Sequence, residues 1–195
     1  MTRHFDKELR KLKESLLKMS VLVEESISKS IKSLVNRKST LADAVIKSDE
    51  AINLLEIDID KLCLKLIALY QPAAIDLRYI TSAMKINSQL ERIGDQAVNI
   101  AKRAKRIIKK PELKPLIDIP HMATLSQQML KNSLDALTNK DAKLARSVCK
   151  SDDEVDNLND QVFRELITYM IDDPKTIKRA LEHILIGRHL ERIAD

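Results

Sequence analysis

The sequence is poor in the residues that build loops, disulfide frameworks and aromatic surfaces: its 195 residues include two glycines, two cysteines and no tryptophan, and 3% are aromatic. The two glycines stand alone, which excludes a glycine-rich phosphate-binding loop. Cys63 and Cys149 are too few and too far apart for a disulfide framework or a cysteine-rich zinc site, which favours a reducing compartment. No apolar segment approaches the roughly 20 residues that span a bilayer, and no signal-like segment follows Met1. We therefore predict a cytoplasmic protein.

Leucine, isoleucine, alanine, lysine and glutamate are abundant instead, and 44% of the residues are hydrophobic, which is typical of an all-α protein with a substantial core. Apolar residues recur every three or four positions along most of the chain. This spacing predicts amphipathic helices at residues 5–36, 40–70, 74–108, 121–137, 141–170 and from about 173 onward. Residues 110–120 contain three prolines, a density that no continuous helix accommodates.

One motif occurs twice. Leu-Glu-Arg-Ile-Gly-Asp at residues 90–95 recurs as Leu-Glu-Arg-Ile-Ala-Asp at residues 190–195, and Lys-Ser-Asp-Glu at residues 47–50 is echoed by Lys-Ser-Asp-Asp at residues 150–153. Such a duplication indicates one helical unit written twice. We predict a first three-helix repeat at residues 1–109, a proline-rich linker at 110–120 and a second three-helix repeat at 121–195.

Acidic or amide residues form four pairs with a spacing of four positions. Groups at this spacing share one helix face about one turn apart, so their oxygens can converge on one site. Like charges there cost a helix on the order of a few tenths of a kcal/mol, which suggests a counter-charge nearby. Oxygen donors without His or Cys suit hard cations such as Mg²⁺, Mn²⁺, Ca²⁺ or ferric iron. The candidate metal ligands are Asp49 with Asn53, Glu91 with Asp95, Asp152 with Asp156, and Glu191 with Asp195.

The second predicted helix carries a longer polar stripe. Asp49, Asn53, Glu56 and Asp60 fall within about 60° of one another on an ideal helix. If this stripe faces the corresponding acids of the third helix, several carboxylates surround one volume.

A purely structural interpretation competes with the metal hypothesis. Arg78, Arg92, Arg188 and Arg192 lie on the same helices as the acids, so the carboxylates could form interhelical salt bridges in an interaction module without a functional metal. No His follows any of these glutamates by three positions, which argues against ferritin-like di-iron chemistry. No Ser-His-Asp or Cys-His arrangement can be assembled either. We therefore predict that the protein is not an enzyme.

Seven cationic residues crowd one segment against a single acid, Glu112. This cluster could meet phosphates on nucleic acid, an anionic membrane surface or an acidic partner, or it could be a solvated helix end whose cations suit the negative end of the dipole. No aromatic residues are interleaved with it for base stacking, so we predict no nucleic-acid partner. The cluster consists of Lys102, Arg103, Lys105, Arg106, Lys109, Lys110 and Lys114.

With these motifs the chain resembles the PhoU family of cytosolic regulators linked to high-affinity phosphate transport. The resemblance rests on Phe-Asp-Lys-Glu-Leu at residues 5–9, on Leu-Tyr-Gln-Pro-Ala-Ala-Ile-Asp-Leu-Arg at residues 69–78, on residues 90–101, and on the second copy at 190–195. It implies two tandem three-helix bundles related by a pseudo-twofold axis. It also implies metal clusters, iron above all, at the eight candidate ligands.

The resemblance further implies a negative regulator of the phosphate-starvation response. Such a protein acts by contact between the ATPase of the phosphate ABC transporter and a sensor histidine kinase, forms a homodimer, and reaches the membrane only through these partners. The family's last helix continues beyond its second acidic motif, so we expect a second bundle that is truncated at its C-terminus. A frayed acidic helix end is unfavourable, and we expect weaker or absent metal at Glu191 and Asp195 than at Glu91 and Asp95.

Overall fold

The computed structural model describes residues 2–195, with side chains from His4 onward. In that part of the chain α-helices form almost all of the regular structure and no strand occurs. The predicted all-α class is confirmed, and each predicted helix is present. Within the described residues, no helix combines the length and the hydropathy that crossing a membrane requires. The helices are α1 (Thr2–Val35), α2 (Ser39–Tyr70), α3 (Ala74–Ile108), α4 (Asp118–Asn139), α5 (Ala142–Asp172) and α6 (Ile177–Ala194).

Two aspartates determine where the later helices begin. Asp141 caps α5: its Oδ1 accepts hydrogen bonds from the backbone N–H groups two and three residues later, at 2.9 and 3.0 Å. Asp173 was predicted to cap the last helix directly. Its side chain instead caps a single 3₁₀ turn, Pro174–Thr176, by accepting from the N–H of Lys175, and α6 begins only after this turn.

The segment between α3 and α4 covers residues 109–117. The predicted linker, 110–120, is therefore wrong at its C-terminal end, because α4 already begins at Asp118. Pro120 lies in the first turn of α4. A proline is tolerated there because the first N–H groups of a helix have no intrahelical partner.

Two arginines hold the linker through its main chain. The Nη2 of Arg37 donates to the carbonyl oxygen of Ile108 at 2.9 Å and also to that of Lys110. The Nη1 of Arg179 donates to the carbonyl oxygen of Pro111 at 3.0 Å. Carbonyl groups that the prolines leave without helical partners are thereby satisfied.

Lys114 anchors the linker through its side chain. That side chain is only 5% exposed, its Nζ donates to Glu165 on α5, and it lies 3.7 Å from a carboxylate oxygen of Asp118 on α4. Burial lowers the pKa of Lys114, although the charge of Asp118 opposes the shift. This lysine was counted with the exposed basic cluster in the sequence, but the fold uses it as an internal ion pair.

The contacts of the chain define two compact units. The first combines the N-terminal part of α1 through Ser26 with Lys47–Asp95, and the second combines Ile27–Ile46 with Gln96–Asp195. This division passes through α1, α2 and α3, whereas the predicted boundary follows α3. The predicted repeat boundaries and the pseudo-twofold relation stay predictions.

In the first unit, polar contacts supplement an apolar core. Lys11 and Lys65 donate to the buried carboxylate of Glu8 at 2.7 and 3.0 Å, and these hydrogen bonds hold the pKa of Glu8 at about 2. Asn87, fully buried on α3, donates to the carbonyl oxygen of Glu56 on α2 at 2.8 Å. The three helices are thus tied together around buried side chains that include Leu12, Leu16, Met19, Val23, Ile52, Ile59, Leu66, Ile80 and Leu90.

In the second unit, α4, α5 and α6 pack against one another. The hydroxyl of Ser126 on α4 is fully buried and donates to the carbonyl oxygen of Leu190 on α6 at 3.2 Å. Leu190, the first residue of the repeated motif, is itself fully buried. Other core side chains are Ile119, Met122, Val155, Val162, Leu166, Ala180, Ile186 and Ile193.

Candidate functional site

The first unit brings acidic side chains of α2 and α3 together. We call Asp49, Asn53, Glu56, Glu91 and Asp95 the first acidic row. Burial raises the pKa of Glu91, and the negative charges of Asp95, Glu56 and Asp49 raise it further, which outweighs the nearby positive charge of Arg92. A carboxylate on α3 therefore experiences the field of two carboxylates on α2. The expectation that the α2 stripe faces the third helix is confirmed.

The row lies at the edge of the core. Glu91 and both predicted α2 ligands are half-buried, whereas Asp95 is exposed. Glu56 was noticed in the sequence as part of the α2 stripe but was not among the predicted ligands. Its place on the same face as Asp49 was the signal that could have added it. Asp60, one turn further along the stripe, is not among the charges that act on Glu91.

Gly94 explains how the two helices approach so closely. A Cβ atom at this position would lie 3.3 Å from Cδ1 and 3.4 Å from Cγ2 of Ile52, a fully buried residue of α2. The sequence-based prediction that this glycine permits close helix approach is confirmed. Its absent side chain brings the α2 and α3 backbones together between the two halves of the row.

Gly94→Val is expected to lower the free energy of unfolding by about 1–3 kcal/mol, because its branched Cγ atoms would overpack against Ile52. Urea unfolding followed by circular dichroism measures this change. Ala51→Val, at an exposed position of α2, is the matched control for adding a β-branched residue and should change stability by less than about 0.5 kcal/mol. Equal stability of Gly94→Val and wild type would contradict a tight approach at Gly94.

The second unit contains an equivalent arrangement between α5 and α6. We call Asp152, Asp156, Glu191 and Asp195 the second acidic row. Burial raises the pKa of Glu191, followed by the charges of Asp156 and Asp195. The pKa of Asp152 is raised by burial, then by Asp156 and Asp195, and last by Asp153, which the sequence analysis did not single out. All four predicted ligands of the second copy therefore influence one another.

Two oxygens in the rows have unmet hydrogen-bonding capacity. Oδ1 of Asn53 in the first row and Oδ1 of Asp152 in the second are buried and, within the described chain, have no hydrogen-bond partner. Leaving such an atom unsatisfied costs about 1–3 kcal/mol. A cation would satisfy it through a donor type that hard cations accept.

Basic side chains do not neutralise the rows directly. Among the described residues, no ion pair joins Glu91, Asp95, Asp156 or Glu191 to a lysine or arginine. The described part of the chain also holds no three His, Cys, Asp or Glu side chains that already converge as a metal-binding group. The rows thus present oxygen donors that fit a hard cation in type, and side-chain rotation would be needed to close them around one.

The remaining catalytic candidates behave as core residues. Burial and the positive charges of Lys114, Arg179 and Arg37 lower the pKa of His183 to about 4. His189 also has a pKa lowered to about 4 by burial, and it accepts a hydrogen bond from Nε of Arg103 at 3.1 Å. The prediction that these histidines are buried structural residues is confirmed.

Comparison with known proteins agrees with this architecture. The sequence profile described as the PhoU domain matches residues 16–104 and 119–195. The chain belongs to the PhoU family. The two matched stretches correspond to the two copies that the repeated acidic motif indicated, and together they cover most of the chain.

Close relatives and solved structures extend the match. A "phosphate-specific transport system accessory protein PhoU homolog" of Aquifex aeolicus is 46% identical over 186 residues, which are 95% of this chain and 84% of that protein. The homologue of Pseudomonas aeruginosa is 39% identical over 196 residues, covering 100% of this chain and 81% of the relative.

The crystal structure of PhoU from Pseudomonas aeruginosa superposes with a TM-score of 0.94 at 40% identity, covering 98% of this chain and 92% of that one. The crystal structure of the phosphate transport system regulatory protein PhoU from Streptococcus pneumoniae gives a TM-score of 0.89 at 33% identity, covering 98% and 90%. The PhoU fold of this chain thus follows from both sequence and structure.

Proposed function

We propose that this PhoU-family chain is a cytosolic, metal-binding regulator of phosphate transport that represses the phosphate-starvation response when phosphate is plentiful. Its relatives are named as accessory or regulatory proteins of the phosphate transport system, which supports a role beside the transporter. The observation that carries the metal part is the pair of acidic rows, where carboxylates face one another across helices without basic partners.

The proposed metal ligands keep their sequence-based assignment. Asp49, Asn53, Glu91 and Asp95 would hold metal in the first row, with Glu56 beside them. Asp152, Asp156, Glu191 and Asp195 would do so in the second row. Iron is the metal that the family resemblance favours, and Mg²⁺, Mn²⁺ or Ca²⁺ would suit the same oxygens. A bound cation supplies positive charge, which would offset the repulsion that raises the pKa of Glu91 and Glu191.

The alternative, an interaction module built on carboxylate–arginine pairs, requires close contacts between the acids and neighbouring arginines. In the described residues, Arg78, Arg92, Arg188 and Arg192 form no ion pair with the rows. The positive charges of Arg92, Arg188 and Arg192 do lower the pKa of neighbouring glutamates, but burial and like charges outweigh them. This balance favours the metal proposal over arginine pairing.

The proposed action is by contact and not by turnover. The partners are the ATPase of the phosphate ABC transporter and a sensor histidine kinase, and the working form is a homodimer. A long helical surface without a catalytic constellation suits binding to protein partners, and a metal would fix the relative position of the helices that form this surface.

Replacing the chromosomal gene with the Glu91→Ala, Asp95→Ala double variant is expected to derepress a phosphate-starvation promoter in phosphate-rich medium. A transcriptional reporter measures the effect, and affinity capture from the same cells shows whether the ATPase and the kinase still bind. Glu14→Ala with Asp135→Ala removes the same charge from exposed positions outside the rows and should leave repression intact. Full repression by the Glu91 and Asp95 double variant would refute a regulatory role for the first row.

A further inference from the structure

The fold divides the basic cluster of the sequence into paired and unpaired cations. Arg103 and Arg106 both donate to Glu182 on α6, at 2.9 and 3.2 Å, and Lys105 pairs with Asp43 on α2. With Lys114 buried against Glu165, the internal ion pairs absorb much of the cluster. The cations that remain lie at the C-terminal end of α3 and in the start of the linker.

These remaining charges border a cavity of about 420 Å³ within the second unit. Its volume falls in the roughly 300–1,000 Å³ range of small-molecule sites. Cations from three segments line it: Arg106 at the end of α3, Lys110 in the linker, and Lys175, Lys178 and Arg179 at the start of α6. The lining carboxylate, Glu182, already accepts hydrogen bonds from Arg103 and Arg106. The cavity therefore carries a strong excess of positive charge.

The arginines are already held in position. Arg106 is oriented by Glu182, and Nη1 of Arg179 donates to the carbonyl oxygen of Pro111 at 3.0 Å, which leaves other guanidinium N–H groups for a ligand. Pre-oriented guanidinium groups lose less conformational entropy when they bind phosphate oxygens. The first turn of α6 contains no acidic residue, so the positive end of its dipole adds to the charge of the cavity.

We propose that this cavity binds the phosphate chain of a small solute with two or more linked phosphoryl groups, such as the triphosphate ion. Several negative charges on one flexible chain can contact cations from α3, the linker and α6 at the same time. A single phosphate would leave most of these cations without a partner. No aromatic side chain lines the cavity, so recognition rests on the phosphoryl groups and not on a stacked base.

This site is separate from the acidic rows in its chemistry. It uses only cations and main-chain hydrogen bonds of the second unit, so ligand binding does not require a metal in either row. A concave, cation-lined cavity also favours a small solute over a flat lipid surface, which would contact exposed lysines equally around it. Binding to anionic membranes is therefore an outcome that the test must separate.

Isothermal titration of the full-length, metal-stripped protein with sodium triphosphate tests the proposal. We expect saturable one-to-one binding that weakens as NaCl rises, because exposed charge pairs are screened beyond about 10 Å at 0.1 M salt. Lys175→Gln with Lys178→Gln should weaken binding by about tenfold or more, since each lost contact is a charge-assisted hydrogen bond. Lys18→Gln with Lys131→Gln removes the same charge at exposed positions elsewhere and should leave affinity unchanged.

Lys110→Gln, outside any helix, provides a second variant that should also weaken binding. Thermal melts of every variant check that the fold is retained. Absence of triphosphate binding by wild type, or equal affinity in wild type and both cavity variants, would overturn the proposal. So would adsorption to phosphatidylglycerol vesicles that depends on Lys175 and Lys178 without any binding of triphosphate, which would assign the surface to a membrane.

Discussion

Glu91→Ala with Asp95→Ala is expected to abolish metal binding at the first acidic row and the thermal stabilisation that metal confers, while slightly stabilising the metal-free protein. The metal-free gain follows because burial and three neighbouring acidic charges disfavour the ionised form of Glu91. A metal at 100 times its dissociation constant stabilises the folded state by about 2.7 kcal/mol. For a chain of this size that corresponds to roughly 5–10 °C in melting temperature.

Elemental analysis and calorimetric melts with and without metal measure both effects. Glu191→Ala with Asp195→Ala tests the second row separately, where we expect weaker binding and a smaller loss. The Glu14→Ala, Asp135→Ala protein serves as the charge-matched control and should keep its metal content. Unchanged metal content and unchanged metal-induced stabilisation in both row variants would reject the metal assignment.

Acidification is expected to destabilise the metal-free protein between about pH 6.5 and pH 4 through its buried histidines. An unfolded histidine binds a proton near pH 6.5, whereas His183 in the folded protein has a pKa of about 4. As the pH falls through this window, the unfolded state takes up a proton that the folded state does not, so the free energy of unfolding decreases. The loss from His183 is on the order of 3 kcal/mol at pH 4.

His183→Leu isolates this contribution. Leucine is similar in size, does not titrate, and replaces a buried ring whose Nδ1 has no hydrogen-bond partner among the described residues. Urea unfolding at pH 7 and pH 4 should show that the variant loses about 3 kcal/mol less than wild type on acidification. Glu91, Asp152 and Glu191 have raised pKa values and act in the opposite direction, but they are common to both proteins and cancel in the difference. Identical pH dependence of the two proteins would show that His183 is not held neutral.

Much of the fold follows from local patterns in the sequence. The three- and four-residue spacing of apolar side chains predicted every helix, because one turn of helix brings such residues onto one face whatever the rest of the chain does. The errors lie at helix starts. Pro120 was assigned to the linker although a proline is tolerated in the first turn, and Asp173 caps a 3₁₀ turn before α6. At both places several local geometries suit the same residues.

The acidic sites were predictable within each helix but not between helices. A spacing of four positions places Glu91 and Asp95 on one face from sequence alone. Which helix supplies the facing charges depends on long-range packing, and the fold adds Glu56 opposite Glu91 and places Asp152 near Asp195. The close approach at Gly94 makes the first of these encounters possible.

The basic cluster shows the same division most clearly. The sequence by itself determined the all-α class, the duplication, the acidic pairs and the crowding of cations near the linker, because these depend on neighbours along the chain. Only the tertiary structure decided that Lys114 is buried, that Glu182 takes up two arginines, and that Lys175 and Lys178 join Lys110 around one cavity. The physical reason is that helix geometry fixes the partners of a residue only within about one turn, whereas its partners on other helices depend on how the whole core packs.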